Sequence, residues 1–340
     1  MTTTPRSTPV PVLIAGDHFV TPDLVRDALL ARIGPVFTAR TLTSSWPYTP
    51  FGPVAEVDEA CGDEDELIAA LAGVEVAVTQ MAPFTARVLA AADALRLVVV
   101  CRGGPVNVNL AAAAEAGVEV RATPGRNAVA AAEHAVALLL AALRQIPDRH
   151  AGVRDGAWRS DLYALSEVGS ELAGSTVGLV GYGAIGRRVG RIVRAFDAEV
   201  LVHDPYADPS TLDGVTPVGL PELLERSRVL SLHARLTPQT AGMIGARELA
   251  RLPRGAVLVN TARGGLLDYE AVLDALESGH LGAAAFDVFD VEPLPAGSRL
   301  RTAPRVVLTP HLAGATRQTA ERAAALAADA VADYLATRGR

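Results

Sequence analysis

Residues 176–191 read Thr176-Val-Gly-Leu-Val-Gly181-Tyr-Gly183-Ala-Ile-Gly186-Arg-Arg-Val-Gly-Arg191. An apolar run that ends in glycines at G-x-G-x-x-G spacing predicts a buried strand, a tight turn and a helix opening at Ala184. Gly181 permits the turn, Gly183 lets the backbone approach a pyrophosphate, and Gly186 packs the helix on the strand. The helix then turns its positive N-terminus, from Gly183 through Ala184 and Ile185, toward the phosphates. The next predicted strand, 199–204, ends in Asp204. An acid there accepts a ribose hydroxyl and would repel a 2′-phosphate, so the reading is NAD rather than NADP. Arg187 and Arg188 lie inside the helix and are read as solvated or paired.

Outward from this stretch, predicted strands at 229–233, 256–261, 282–289 and 306–309 bring the second half to six, a complete dinucleotide-binding sheet. The first half alternates β-branched runs (11–15, 74–79, 97–101 and 118–121) with alanine-rich helical stretches, the pattern of a second parallel sheet. A loop at 43–53 carries Trp46, Tyr48 and Phe51. A long helix at 128–146 leads into a polar segment, 149–175, and an amphipathic helix from Thr316 could return to the first domain. The expected class is α/β, with two doubly wound parallel-sheet domains. The expected division is 1–122 plus 316–340 for a substrate-binding lid and 123–315 for a Rossmann-type NAD-binding domain.

Composition narrows the chemistry. The chain has 340 residues and a net charge of −7, which disfavours a general affinity for nucleic acid or anionic membrane. It contains no lysine, so all 31 basic residues are arginine. That excludes a Schiff-base lysine, a phosphate-loop GK[ST] and a Tyr-x-x-x-Lys pair. Two cysteines, Cys61 and Cys101, offer neither a disulfide framework nor a metal cluster, so no metal is expected. The Thr/Pro-rich start lacks a signal peptide's charged and apolar regions, and the apolar stretch 128–143 is short and interrupted by Glu133 and His134. A soluble, cytoplasmic protein is the expectation.

Four polar residues lie on strand ends or in the turns after them in the second half. Arg263 follows Val257-Leu-Val-Asn260-Thr-Ala. Its guanidinium could hold a carboxylate with two parallel hydrogen bonds, or could cap the turn. His311 follows Val306-Val-Leu-Thr-Pro310 and suits proton exchange with a carbonyl or alcohol oxygen near neutral pH. Asp287 and Glu292 lie in Asp287-Val-Phe-Asp-Val-Glu292-Pro-Leu-Pro. If Glu292 reaches the imidazole, it fixes the tautomer and stabilises the imidazolium.

The segments GYGAIG, NTARGGLLD, AAFDVFDVEPLP and TPHLAGAT resemble the characteristic blocks of the D-isomer-specific 2-hydroxyacid dehydrogenases. The likeness is ordered across residues 174–316 and weaker through the first domain. It implies that Arg263 grips the substrate carboxylate, that His311 is the acid/base and that Glu292 is its partner. It places Asp287 by the nicotinamide carboxamide, with Thr261, Ala262, Arg263, His311 and Gly314 lining the cofactor and His233 near it through its backbone. It also implies a flavodoxin-like first domain, a small 2-oxo or 2-hydroxy acid as substrate, and a homodimer built on the cofactor domain.

The chain departs from that family's pattern in the first domain. The glycine loop is Cys101-Arg102-Gly103-Gly104-Pro105, shorter than is common and closed by proline. Where phosphoglycerate-using members carry an arginine, this chain has Thr79-Gln80-Met81, which disfavours a phosphorylated substrate. Met81, Arg102, Gly103 and Gly104, with Arg263, are the expected substrate contacts. Arg102 and Arg235 could meet a second anionic group or form salt bridges. An NADPH-preferring glyoxylate or hydroxypyruvate reductase is the alternative within enzymes. An NAD(H)-sensing protein, similar to corepressors of the same fold, is the alternative outside them.

Overall fold

The structure, a computed structural model, describes residues 9–338, so the Thr/Pro-rich start lies outside the described residues. Along the chain the strands are β1 (Val10–Gly16), β2 (Phe37–Thr43), β3 (Gly52–Val54), β4 (Val57–Ala60), β5 (Val76–Thr79), β6 (Leu97–Val100) and β7 (Glu119–Ala122). They continue as β8 (Thr176–Val180), β9 (Glu199–His203), β10 (Thr216–Pro217), β11 (Val229–Leu232), β12 (Ala256–Asn260), β13 (Leu281–Phe286) and β14 (Val306–Leu308). The helices are α1 (Pro22–Ile33), α2 (Glu64–Leu71), α3 (Ala86–Ala91), α4 (Leu110–Glu115), α5 (Ala128–Arg144) and α6 (Ile146–Arg154). After them come α7 (Ala184–Arg194), α8 (Leu220–Arg226), α9 (Ala246–Leu249), α10 (Tyr269–Glu277) and α11 (Arg317–Arg338).

The chain divides into two compact units, Met1–Arg126 with Thr316–Arg340, and Asn127–Ala315. Residues 123–126, read from sequence as part of the second domain, pack with the first, where the Thr123 amide donates to the Arg102 carbonyl at 2.8 Å.

Unit 1 is a five-stranded parallel sheet in the order β2-β1-β5-β6-β7, the flavodoxin-type order. Its central strands are β-branched runs buried on both faces, as a parallel sheet covered by helices requires. On one face Val12, Ile14, Val76 and Val99 pack with Ala323, Ala327 and Val331 of α11. The other face carries Leu13, Leu67, Phe84 and Val98. Local chemistry sets the element ends. Thr21 caps α1 through the Leu24 amide, Pro22 occupies the first turn, and Gly34 closes the helix at φ 70°, a left-handed backbone that favours glycine.

Unit 2 is a seven-stranded parallel sheet in the order β10-β9-β8-β11-β12-β13-β14. The order reverses between β8 and β11, where doubly wound sheets receive ligands. Sequence reading gives six of these strands and misses β10, because Thr216-Pro217 is too short and polar to show a hydrophobic run. The helix read as 128–146 stops at Arg144. Gln145 turns left-handed at φ 50°, and Pro147 in the first turn of α6 has no N–H to continue the ladder. The chain bends by 66° there. Among the described residues no single helix is long and apolar enough to cross a membrane.

Candidate active site

The glycine turn after β8 is built by close backbone contacts. Gly181 has φ 93°, and a Cβ there would sit 2.6 Å from the Ala234 nitrogen. A Cβ at Gly186 would lie 2.2 Å from the Gly181 carbonyl oxygen, so helix α7 can approach the turn only without a side chain. Gly183, the N-cap of α7, makes no side-chain cap and faces open space. The Arg187 amide donates to the Gly183 carbonyl at 3.1 Å and opens the helical ladder. The N–H groups of Ala184, Ile185 and Gly186 therefore precede the ladder, as an anion-binding helix start requires.

Asp204 closes one side of this turn. Its Oδ2 accepts the Tyr182 amide at 2.7 Å and its Oδ1 the Tyr206 amide at 2.9 Å. Next to it a cavity of about 230 Å³ is lined by Val202, Asp204, Ala207, Leu212, Pro217 and Val218. This mostly apolar slot thus opens beside a carboxylate. His233 donates its amide to the Val180 carbonyl at 2.7 Å, and its Nε2 lies 3.0 Å from Ser231 Oγ. Burial pushes its imidazole down to about 4, so the ring beside the glycine turn is uncharged near neutral pH.

After β12 the buried Asn260 shapes the next turn, a role with no sequence signal beyond its place before Thr261. Its Oδ1 accepts the Ala262 amide at 3.0 Å, and its Nδ2 donates to the Arg263 carbonyl at 2.9 Å. Thr261 Oγ1 is buried without a hydrogen-bond partner among the described residues, a group suited to bond a bound molecule. Arg263 is exposed, donates to the Ala262 carbonyl at 2.8 Å, and forms no ion pair among the described residues. A Cβ at Gly264 would fall 2.0 Å from the Phe289 carbonyl group, so this turn lies directly against the segment that follows β13.

That segment carries the two acids. Glu292 Oε1 accepts the Phe289 amide at 2.8 Å, and Oε2 lies 2.6 Å from His311 Nδ1. The pairing that sequence can only pose as a condition is present. Tyr269 supports the strand end by donating its hydroxyl to the Val288 carbonyl at 2.6 Å.

Asp287 is fully buried, and its carboxylate organises the turn around His311. Oδ1 accepts Thr309 Oγ1 at 2.5 Å and the Leu312 amide at 2.8 Å, while Oδ2 accepts the Ala313 amide at 2.7 Å. The Asp287 carbonyl also accepts the His311 amide at 2.8 Å. These bonds hold His311 at φ 55°, a left-handed conformation costly for a residue with a Cβ. From α5, His134 Nε2 reaches Thr309 Oγ1 at 3.0 Å and Asp287 Oδ1 at 3.4 Å. Burial opposes charge on Asp287, but the bonds from His134, Thr309, Ala313 and Leu312 outweigh it and hold the carboxyl below its usual range. Gly314 ends the turn, where a Cβ would meet Asn127 Nδ2 at 2.9 Å.

The candidate residues of unit 1 stand at the C-terminal ends of its strands. Met81 is buried after β5. Gly103 and Gly104 follow β6, with no atom within 4 Å of an added Cβ at either. Arg102, expected to meet a second anion or form a salt bridge, is paired with the Glu59 carboxylate and donates to the Glu59 carbonyl at 3.1 Å. Burial pushes the Cys101 thiol up to about 12, so it is no nucleophile near neutral pH.

Residues 136–313 match the family described as D-isomer specific 2-hydroxyacid dehydrogenase, NAD binding domain. The chain belongs to that family. The nucleotide its second unit is built for is NAD. Among similar proteins, the D-3-phosphoglycerate dehydrogenase of Mycobacterium tuberculosis is 41% identical over 272 residues, 79% of this chain and 51% of that protein. The glyoxylate reductase of Korarchaeum cryptofilum is 38% identical over 249 residues, 73% of this chain and 75% of that one. The crystal structure of the TT0316 protein from Thermus thermophilus superposes with a TM-score of 0.80 at 33% identity, covering 97% of this chain and 98% of that one. The chain thus spans about half the length of the first of these relatives.

Proposed function

We propose that the chain is an NAD-dependent D-2-hydroxyacid dehydrogenase that works as a 2-oxo acid reductase. The observation that carries this reading is the 2.6 Å contact between His311 Nδ1 and Glu292, on a segment packed against the Arg263 turn. In the reductive direction Arg263 holds the substrate carboxylate through paired N–H donors and polarises the neighbouring carbonyl. NADH, when bound, would supply the hydride for the carbonyl carbon. Protonated His311 gives the proton of Nε2 to the carbonyl oxygen, so that C=O becomes CH–OH. Glu292 accepts the Nδ1 proton in a hydrogen bond, keeps the ring oriented and stabilises the imidazolium. In the reverse direction neutral His311 takes the hydroxyl proton.

The glycine turn with Ala184 and Ile185 would hold the nucleotide's phosphates, Asp204 its ribose, and Thr261 and Ala262 its nicotinamide half. Asp287 acts through the His311 turn. The carboxylate at Asp204 favours NAD over NADP. Unit 1 would receive the substrate through Met81, Gly103 and Gly104. Thr79-Gln80-Met81 supports a substrate without phosphate.

We assign the protein to the cytoplasm and to a homodimer. The dimer rests on the arm at 146–168, which exposes Ile146, Val153, Trp158, Tyr163, Leu165 and Val168, with Trp158 and Leu165 at 85% and 92%. Apolar side chains this exposed and this clustered suit burial against a second copy.

The test is NADH consumption against 2-oxo acids by the wild type and Arg263→Ala. Turnover that falls at least ~10²-fold in the variant, with NADH affinity retained, supports the assignment. Equal turnover refutes it.

A further inference from the structure

Helix α5 carries a histidine that the proposed reaction leaves without a task. His134 Nε2 lies 3.0 Å from Thr309 Oγ1 and 3.4 Å from Asp287 Oδ1. The protons at this junction can be assigned. Thr309 has one hydroxyl proton, and the ionised carboxylate of Asp287, 2.5 Å away, can only accept it. The Thr309 oxygen must then accept from His134, so the imidazole carries a proton on Nε2. A directed chain results, ring N–H to hydroxyl and hydroxyl to carboxylate, in which each bond polarises the next. The carboxylate in turn takes the Leu312 and Ala313 amides at 2.8 and 2.7 Å, the two residues that follow His311.

Anchoring the helix does not require this histidine. On α5, Ala135, Leu138, Leu139 and Ala142 already pack in one core with Val177, Val257 and Ala285 of the sheet. Ala130 and Leu138, one turn to either side of His134 on the same face, are 5% and 4% exposed. An apolar residue at 134 would extend that seam, whereas the imidazole gives its N–H to the end of β14. The start of α5 meets the same turn a second time, since a Cβ at Gly314 would lie 2.9 Å from Nδ2 of its N-cap, Asn127. Between these two contacts His311 sits at φ 55°, a backbone that its surroundings must hold in place.

We propose that His134 is a positioning residue for His311: its Nε2–H fixes the Thr309 hydroxyl, which together with Asp287 fixes the turn that aims the imidazole. The effect on turnover rests on the dehydrogenase reading; the effect on the ring does not.

The test compares His134→Leu, which keeps a good helix former and an apolar contact but donates nothing, with His134→Gln, whose amide N–H can stand in for Nε2. Thermal unfolding establishes that each is folded. Each is then measured for kcat and KM with the best 2-oxo acid and for NADH affinity. The His311 ring signal is followed by NMR of histidine-labelled protein and assigned by its absence from His311→Gln. In His134→Leu kcat should fall ~10-fold or more, with KM and NADH affinity little changed and the His311 signal displaced. His134→Gln should return both kcat and signal toward the wild type. Thr309→Val cuts the chain at its middle, should cost at least as much, and carries the test if His134→Leu does not fold. Combining the two should add no further loss. An unmoved His311 signal or a wild-type kcat in folded His134→Leu overturns the proposal. So does a His134→Gln variant as impaired as His134→Leu, or a loss shared by KM and NADH affinity, the mark of a merely structural histidine. If the wild type turns over no 2-oxo acid, a His311 signal that moves in His134→Leu and returns in His134→Gln keeps the positioning role and refutes the dehydrogenase reading.

Discussion

Thr309 and Ala313 flank His311 in the chain, and both are tied to the buried carboxylate of Asp287, by bonds of 2.5 and 2.7 Å. One acid thus places the histidine by gripping the residues around it, while a second, Glu292, orients the ring itself. Position and tautomer are set separately, and the two acids should fail differently.

Glu292→Gln keeps the size of the side chain but removes the charge that stabilises the imidazolium. Turnover should fall about 10²-fold or more, with NADH affinity nearly unchanged. Steady-state rates, with a separate NADH titration, check this; turnover at the wild-type rate would contradict it.

Asp287→Ala leaves Thr309 Oγ1 and two amides without their acceptor, next to His134. The expected cost is about 2–4 kcal/mol of stability together with lower turnover. Urea unfolding measures the first and NADH consumption the second. A stable variant with full activity would show that the turn holds His311 without this acid.

Gly186→Ala would place a Cβ 2.2 Å from the Gly181 carbonyl oxygen, so helix and turn must separate. NADH affinity should drop at least ~10-fold, with a stability loss of about 1–3 kcal/mol. Gly183→Ala, where nothing lies within 4 Å, should cost far less stability. Fluorescence titration with NADH and thermal melts of both variants separate steric strain in the fold from obstruction of the phosphates.

Burial raises Asp17 from 3.8 to about 6, so between those values the folded chain holds a proton that the unfolded chain has released. The stability this contributes is fully present below the unfolded value and is lost as pH rises through about 6. Between about pH 4 and pH 7 the wild type should therefore lose about 2–3 kcal/mol relative to Asp17→Asn. Urea unfolding of both at the two pH values checks the sign; parallel pH dependence would contradict it.

Sequence reveals of the site what strands deliver at their ends. The glycine turn, Asp204, Arg263 and His311 each follow an apolar run, and residue type limits what such positions can do. The His311–Glu292 contact is legible as a possibility because both residues belong to neighbouring strand ends. Other features depend on partners far away in the chain or on local geometry without a pattern. Arg102 cannot be assigned from sequence to Glu59, which stands 43 residues earlier on a short antiparallel ribbon. The role of Asp287 emerges only in the fold, since its partners are largely backbone amides. Strand β2, Phe37-Thr-Ala-Arg-Thr-Leu-Thr, sits at a sheet edge with most of its side chains in solvent, so no apolar run marks it. Pro147 foreshadows the break at Gln145, but the apolar period of the long helix masks it.

The mechanism stands or falls on whether His311 moves the proton of a carbonyl reduction. Turnover of the best 2-oxo acid with NADH by wild type and His311→Gln, beside the NADH dissociation constant of each, decides it. The expected result is a loss of about 10²–10⁴ in kcat with the dissociation constant little changed. Turnover by His311→Gln at the wild-type rate would show that this histidine is not the proton donor.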